Sequence, residues 1–149
     1  MIVRDEAARI ARCLDSARAL VDDIVVLDTG SLDATPAIAA DHGARVFSFD
    51  WCDDFAAARN AALDHSDADW NLVLDGDEWF DAGSTRAALD EVLNAEPCIG
   101  VLPVTSSFDL QGRVESAVQW LPRLLPRGVR YTGRIHEQPV SSCRARALR

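Results

Sequence analysis

Three predicted strands are each followed by an aspartate, and segments with helical periodicity lie between them. The strands are the apolar runs 24–27 and 72–74 and the alternating stretch 44–49, and the aspartates that follow them are Asp28, Asp50 and Asp75. Alternating strands and helices predict an α/β fold with a mainly parallel central sheet, right-handed crossovers and helices on both faces. Parallel strands end at one shared edge, where open α/β sheets bind ligands, so we expect the three aspartates there. The simpler alternative is that each aspartate caps a helix or turn, which fits Asp33 and Asp53.

Apolar periodicity predicts four helices, at residues 5–21, 33–42, 55–65 and 84–95. Pro36 fits the first turn of the second helix, and Gly43 follows its last turn. Beyond Pro97, strand-like runs at 99–105 and 113–121 are joined by the turn-like sequence DLQG, which predicts a mixed sheet or an antiparallel extension. The tail 141–149 has no apolar periodicity, so we expect one domain over residues 1–140 and a frayed end.

Charge and length exclude several classes of protein. A chain of 149 residues can form one modest core. The net charge of -9 argues against nonspecific nucleic-acid binding, which depends on basic surface. No apolar run is long enough to span a bilayer, and the sequence becomes charged at Arg4 instead of continuing as a signal peptide. We therefore expect no transmembrane segment and a cytoplasmic location.

The cysteines and the basic residues narrow the chemistry further. Cys13, Cys52, Cys98 and Cys143 form no Cys-x-x-Cys pair, which argues against a zinc site and favours reduced, mostly buried thiols. All fifteen basic residues are arginine. Any mechanism that needs a lysine is therefore excluded.

The sequence NLVLDGDEW places three carboxylates directly after an apolar strand, those of Asp75, Asp77 and Glu78. Like charges repel, and a desolvated carboxylate without a partner is costly. We therefore expect a positive charge at this position. Gly76, between the two aspartates, lets the backbone approach a ligand closely.

Five sequence blocks occur in an order that is typical of one family. They are MIVRDE at residues 1–6, VVLDTGSLDAT at 25–35, FAAARNAAL at 55–63, LVLDGDEW at 72–79 and YTGRIHEQ at 131–138. With these blocks the sequence resembles the bacterial family 2 glycosyltransferases of the Rossmann-like GT-A fold, from Met1 to about Pro139. The resemblance implies transfer of a sugar from a nucleotide-diphosphate donor to the hydroxyl of an unknown acceptor (glycan, lipid or protein), with inversion at the anomeric carbon.

The same resemblance implies roles for residues of the blocks. Asp75 and Asp77, as an Asp-x-Asp motif, would hold Mg²⁺ or Mn²⁺ on the diphosphate of the donor, and this cation would be the expected positive charge. The implied nucleotide-sugar-binding residues are Val3, Arg4, Asp28, Asp33, Arg59 and Asp75. For Arg59 the alternatives are a contact to phosphate and a solvated position on a helix face. Glu78 would orient neighbouring backbone or a metal-bound water.

The GRIHEQ block adds two candidate catalytic residues, His136 and Glu137. We expect Glu137 to be the general base that deprotonates the acceptor hydroxyl, with Asp109 as the next candidate, and His136 to contact the metal or the phosphate. Neighbouring residues of a strand point to opposite faces, so both reach the site only if this segment is a loop. The alternative is a structural histidine beside a surface glutamate.

Two other functions fit parts of the sequence. A noncatalytic or degenerate nucleotide-sugar-binding module would have the same fold, and fold alone does not exclude it. The first strand is short, and the chain ends soon after the His-Glu block, as expected of a minimal transferase, a fragment or a degenerate copy. A haloacid-dehalogenase-like phosphatase also has an Asp-x-Asp after an apolar strand, but such enzymes commonly need a lysine near the phosphoryl group.

Overall fold

A computed structural model describes residues 1–94, 98–110, 113–141 and 145–147. The helices are α1 (Ile10–Ala17), α2 (Thr35–Asp41), α3 (Phe55–Asp64) and α4 (Arg86–Leu93). The strands are β1 (Ile2–Val3), β2 (Val25–Asp28), β3 (Arg45–Ser48), β4 (Trp70–Leu72), β5 (Ile99–Leu110), β6 (Arg113–Pro126), β7 (Arg130–Thr132), β8 (Gln138–Val140) and β9 (Ala145–Ala147). The predicted alternation of strands and helices is confirmed up to α4.

The strands form a parallel sheet and two further sheets. β1, β2 and β3 are parallel, with β2 in the middle. We expected β4 to continue this sheet, and that detail is wrong. β4 instead pairs antiparallel with β6, in the order β4-β6-β5-β9, and the Val73 N–H donates to the Arg123 carbonyl at 2.7 Å. The reason is the length of β6, which extends five residues beyond the predicted end and supplies β4 with a partner.

Two clusters of buried side chains pack the helices against the strands. Ile10 and Leu14 of α1 and Ala39 of α2 pack with Val26 of β2. The second cluster joins α3, the end of β4 and the C-terminal strands, and its members are Ala56, Leu63, Val73, Ile99, Leu125, Val129 and Tyr131. Burial of these apolar side chains fixes α3 beside β1, β2 and β7, which is where the site residues lie.

Helix α1 is shorter than its periodicity predicts. Asp5 has a φ of 54°, which a helix does not allow, and the first turn instead begins where the Glu6 carbonyl accepts from Ile10 N–H at 2.9 Å. Helix α2 follows the prediction, with Pro36 in its first turn and Gly43 at a φ of 77° beyond its end. Helix α3 is capped by Asp54, whose side chain accepts from Ala57 N–H at 2.9 Å, and not by Asp53, for which capping of a helix or turn was the simpler alternative.

Beyond α4, a long antiparallel hairpin replaces the two shorter predicted strands. β5 and β6 pair from Gly100 to Leu110, and Gln111 and Gly112 of the predicted turn lie outside the described residues, as does Ala95 of the fourth predicted helix. The tail that we expected to be frayed contains β9, which pairs in parallel with β5. Within the described ranges, no helix has the length and hydrophobicity needed to cross a membrane.

Candidate active site

Residues 75–78, here called the acidic turn, follow β4, and hydrogen bonds join the first residue of the turn to the last. The Glu78 N–H donates to the Asp75 carbonyl at 3.0 Å, and the Asp75 N–H donates to Glu78 Oε2 at 3.1 Å. Gly76 is buried where a Cβ would come within 3.0 Å of Glu6 Cγ and 3.3 Å of Val3 Cγ1. A side chain at this position would push the Glu6 and Val3 side chains apart by a few tenths of an ångström, so glycine favours this close packing.

Two buried arginines supply the positive charge that the acidic turn requires. Arg59 Nη2 donates to Asp75 Oδ1 at 2.8 Å, and Arg123 Nη2 donates to Asp75 Oδ2 at 2.9 Å and to Glu78 Oε1 at 2.5 Å. Both guanidinium side chains are about nine-tenths buried. Burial acts to raise the pKa of Asp75, but the charges and hydrogen bonds of the two arginines outweigh it and hold that pKa below its usual range. The sequence analysis assigned this positive charge to a metal ion and did not consider arginine. In the structure, two arginines lie at this position.

Arg59 also connects the acidic turn to the segment that carries His136 and Glu137. Its Nε donates to Glu137 Oε1 at 2.6 Å. The next residue of α3, Asn60, binds both backbone groups of Tyr131 in β7, at 2.8 and 2.9 Å. These hydrogen bonds fix the position of Arg59 relative to the segment that follows β7.

Residues 133–137 form a loop between β7 and β8, so the strand-alternation argument does not apply to them. His136 is exposed and has a φ of 58°, whereas the Glu137 side chain is only 13% exposed. The structure brings Glu137 to the acidic turn through Arg59 and leaves His136 at the surface. Asp109 lies in β5, and its side chain is outside the described residues.

Asp28 is bound within its own turn. Its Oδ2 accepts from the N–H groups of Gly30 and Ser31 at 3.2 and 3.1 Å, and its Oδ1 accepts from Ser31 Oγ at 2.5 Å. Asp33 Oδ1 accepts from Thr35 N–H at 2.9 Å just before α2. The N-cap residue of α2 is Ala34, so Asp33 fits the simpler alternative as a turn residue and not as a helix cap. Both carboxylates therefore shape loops at the end of β2.

The remaining predicted site residues lie apart from these contacts. Val3 is 4% exposed and its side chain belongs to the core, so only its backbone faces the edge of the sheet. Arg4 is exposed, and so is Asp50 after β3. Among the three strand-end aspartates, Asp28 and Asp75 lie near the end of β1. Val3 of β1 pairs with Asp28, and a Cβ on Gly76, next to Asp75, would lie 3.3 Å from Val3 Cγ1.

Asp77 and Asp75 differ as candidate metal ligands. Both oxygens of Asp75 already accept from arginine, whereas Asp77 is exposed. Across the described ranges, no group of three or more His, Cys, Asp or Glu side chains is arranged to hold an ion alone. Asp77 could therefore supply one carboxylate ligand to a hard divalent cation. The further oxygen ligands would come from water or a bound diphosphate.

A cavity of about 600 Å³ lies beside β2 and β4. Its lining extends from Asp23 and Val25 at the start of β2 along β4 to Leu74, the residue before Asp75. Of the predicted site residues, Arg59 alone is among those lining it in the described part of the chain. The cavity is therefore not the site that the sequence predicted.

The sequence argument missed Arg123, although a signal was present. Arg123 interrupts the apolar run of β6 in the sequence WLPRLLP, and its side chain is 10% exposed. An arginine within an apolar strand is buried only when its charge is paired. The sequence pattern indicates that Arg123 is buried, but it does not identify the partners of Arg123, since Asp75 and Glu78 precede it by 48 and 45 residues.

Sequence comparison identifies relatives of this chain. The model of the family described as "Glycosyl transferase family 2" matches residues 1–146. A TPR repeat-containing protein of Synechococcus elongatus is 58% identical over 78 residues, covering 52% of this chain and 19% of that protein. The SPbeta prophage-derived glycosyltransferase SunS of Bacillus subtilis is 26% identical over 145 residues, covering 95% of this chain and 34% of SunS. The chain thus spans about a fifth to a third of these relatives.

Comparison with solved structures agrees on the fold. The mannosyltransferase PcManGT from Pyrobaculum calidifontis, in complex with GDP-Man and Mn²⁺, superposes with a TM-score of 0.56 and 23% sequence identity. The superposition covers 68% of this chain and 32% of that one. The α/β nucleotide-sugar transferase fold expected from the sequence blocks is confirmed.

Proposed function

The chain belongs to glycosyl transferase family 2, and from this premise we propose that it transfers a sugar from a nucleotide-diphosphate donor to an acceptor hydroxyl in a metal-dependent, inverting reaction. The observation that carries the proposal is the acidic turn, in which Asp77 is exposed beside a carboxylate that two buried arginines hold ionised. A glycan, lipid or protein acceptor and a cytoplasmic location remain predictions of the sequence.

The environment of Arg59 supports the proposal that a diphosphate binds at this site. The Nη1 of Arg59 and the Nε of Arg123 are buried and have no hydrogen-bond partner within the described ranges. A buried N–H without an acceptor is costly, and a phosphate oxygen of the donor would satisfy Arg59 Nη1. Asp28, with Asp33, Arg4 and the backbone of Val3, would form the nucleoside side of the same edge. PcManGT was crystallised with a donor of this class, GDP-Man.

Asp77 would be the protein ligand of the divalent cation, Mg²⁺ or Mn²⁺. Asp75, the other predicted ligand, would mainly hold the turn in place, since its oxygens are bound by arginine. When bound, the cation would neutralise the charge that develops on the leaving diphosphate. Mn²⁺ in the PcManGT complex supports this choice of ion class.

Glu137 would take the proton from the acceptor hydroxyl. Its Oε1 accepts from Arg59, which leaves Oε2 for the acceptor, and the Arg59 contact would fix the direction of the carboxylate. His136, exposed in the same loop, would contact the diphosphate or the cation. In an inverting reaction the acceptor oxygen attacks the anomeric carbon, the bond to the diphosphate breaks, and the acceptor proton passes to Glu137.

The two alternative functions make different demands on these residues. A phosphatase of the haloacid-dehalogenase type would need Asp75 as its nucleophile, and binding of both its oxygens by arginine argues against that role. A noncatalytic module of the same fold would bind the donor without transferring the sugar. Binding and turnover must therefore be measured separately.

A thermal-shift screen tests the proposal. UDP, GDP, UDP-glucose and GDP-mannose would be added with Mn²⁺ and with chelator, and a ligand at about 100 times its Kd should stabilise the protein by about 2.7 kcal/mol. The metal-dependent shift should disappear in Asp77→Asn and persist in the control Asp81→Asn, which removes another exposed carboxylate just beyond the acidic turn. If no nucleotide shifts the wild type, the proposal is wrong. Binding without release of nucleoside diphosphate from the donor would favour the noncatalytic module.

A further inference from the structure

Arg123 and Arg59 both bind Asp75, but they use their nitrogens differently. A single nitrogen of Arg123, Nη2, donates to Asp75 Oδ2 and to Glu78 Oε1. Arg59 uses two nitrogens that point to separate groups, Nη2 to Asp75 and Nε to Glu137. The first arginine thus joins two residues of one turn, whereas the second joins that turn to a distant loop.

These contacts make the acidic turn depend on Arg123. Glu78 closes the turn by accepting from the Asp75 N–H, and Arg123 fixes the other oxygen of the same carboxylate. Asp77 lies between these two anchored residues and points to solvent. Without Arg123, two partly buried carboxylates would repel each other and the turn would open, so Asp77 would lose its fixed position.

We propose that Arg123 is a positioning residue that presents Asp77 for ligand binding, and that Arg59, besides the phosphate contact proposed above, holds Glu137 in register with the same turn. The inference rests on the proposed function, because it assigns these arginines to the site of the same reaction. Neither arginine needs to touch the acceptor in order to act.

The different use of nitrogens predicts a contrast between lysine substitutions. A lysine ammonium is one nitrogen with three donors, so it has enough donors for the two carboxylates that a single nitrogen of Arg123 serves. At position 59 one nitrogen cannot replace two that serve Asp75 and Glu137 separately. We therefore expect Arg123→Lys to stay near wild type and Arg59→Lys to lose one of its two contacts.

The test measures Mn²⁺-dependent UDP binding by calorimetry, with thermal unfolding recorded without ligand. Arg123→Met should weaken UDP binding roughly 10- to 100-fold, as is usual when a group that orients a ligand is lost. Arg59→Met also loses the proposed phosphate contact, so the positioning of Glu137 is measured in Arg59→Lys, whose release of UDP from UDP-glucose should fall by more than its UDP affinity does. Arg123→Lys should restore most of the affinity. The control Arg127→Met removes an exposed arginine of the neighbouring turn, paired with Asp69 at 3.4 Å, and should bind as the wild type does.

Several outcomes would overturn the inference. Equal rates of UDP release from UDP-glucose in Arg123→Lys and Arg59→Lys, or wild-type UDP affinity in Arg123→Met, would contradict it. If the methionine variants do not fold, the two lysine variants, which keep the charge, still give the contrast. A wild type that binds no nucleotide would contradict the proposed function instead, and the lysine contrast would then be measured in thermal unfolding, where equal stabilities of the two variants would count against the positioning roles.

Discussion

Asp28 and Asp75 both follow an apolar strand, yet their carboxylates are held in different ways. Asp28 accepts from groups two and three residues further along the chain. Asp75 accepts from arginines 16 and 48 residues away, on α3 and β6. A local turn can form by itself, whereas the environment of Asp75 exists only after three elements have packed together. Asp75 is therefore the more costly of the two to disturb.

The largest effect is expected for Asp75→Ala. The substitution leaves two buried guanidinium groups without their shared carboxylate, and breaking a buried ion pair from one side typically costs about 3–5 kcal/mol. Urea unfolding should therefore show a lower midpoint and a free energy of unfolding that is reduced by this amount. A loss below about 1 kcal/mol would mean that the arginines find other partners and that the turn is not held by them.

Chemical labelling of the Cys13 thiol measures how often the region around Asp75 opens. The thiol donates to the Asp75 carbonyl at 3.5 Å, and burial raises its pKa to about 12. A maleimide should label the exposed Cys52 quickly and Cys13 only when the region opens. In Asp75→Ala, labelling of Cys13 should accelerate more than about tenfold while the rate at Cys52 stays the same, because each 1.4 kcal/mol changes an opening equilibrium tenfold. Peptide mapping by mass spectrometry measures both rates, and equal acceleration at both cysteines would indicate global unfolding.

Asp28→Ala should have a smaller effect. It removes acceptors for two backbone N–H groups in a turn whose Gly30 is exposed, so water can replace them, and losses of capping side chains cost about 1 kcal/mol. Nucleotide affinity should fall by more than stability does. Loss of binding that follows loss of structure would reduce Asp28 to a turn cap.

Asp77→Asn should have the smallest effect on folding. Substitutions at exposed positions without special contacts usually change stability by less than about 0.5 kcal/mol. Urea unfolding of this variant and of Asp81→Asn should therefore agree with the wild type. A large loss in Asp77→Asn alone would show that its carboxylate supports the turn instead of facing a ligand.

The sequence was sufficient for the parts of the molecule that depend on short-range patterns. The order of strands and helices up to α4, the end of α2 at Gly43 and the strand-end position of Asp28 all follow from periodicity and local capping. β4 was assigned to the wrong sheet because its partner, β6, begins more than 40 residues later. Partner strands this distant leave no mark on local periodicity.

The site was only partly predictable for the same reason. The acidic turn is visible in the sequence, and so is its need for positive charge, but not that Arg123 supplies part of it. The pair of Arg59 and Glu137 spans 78 residues. Its formation depends on Asn60 fixing β7 beside α3, a contact that neither residue reveals in the sequence.

We propose that Asp77 binds a cation which the donor diphosphate shares, while Asp75 holds the turn. Calorimetric titration of UDP into the wild type and Asp77→Asn, with Mn²⁺ and with chelator, distinguishes these two roles. Mn²⁺ should strengthen UDP binding to the wild type and should no longer do so in Asp77→Asn, although that variant keeps its stability. If UDP binds the wild type equally well in chelator, Asp77 does not act through a shared cation.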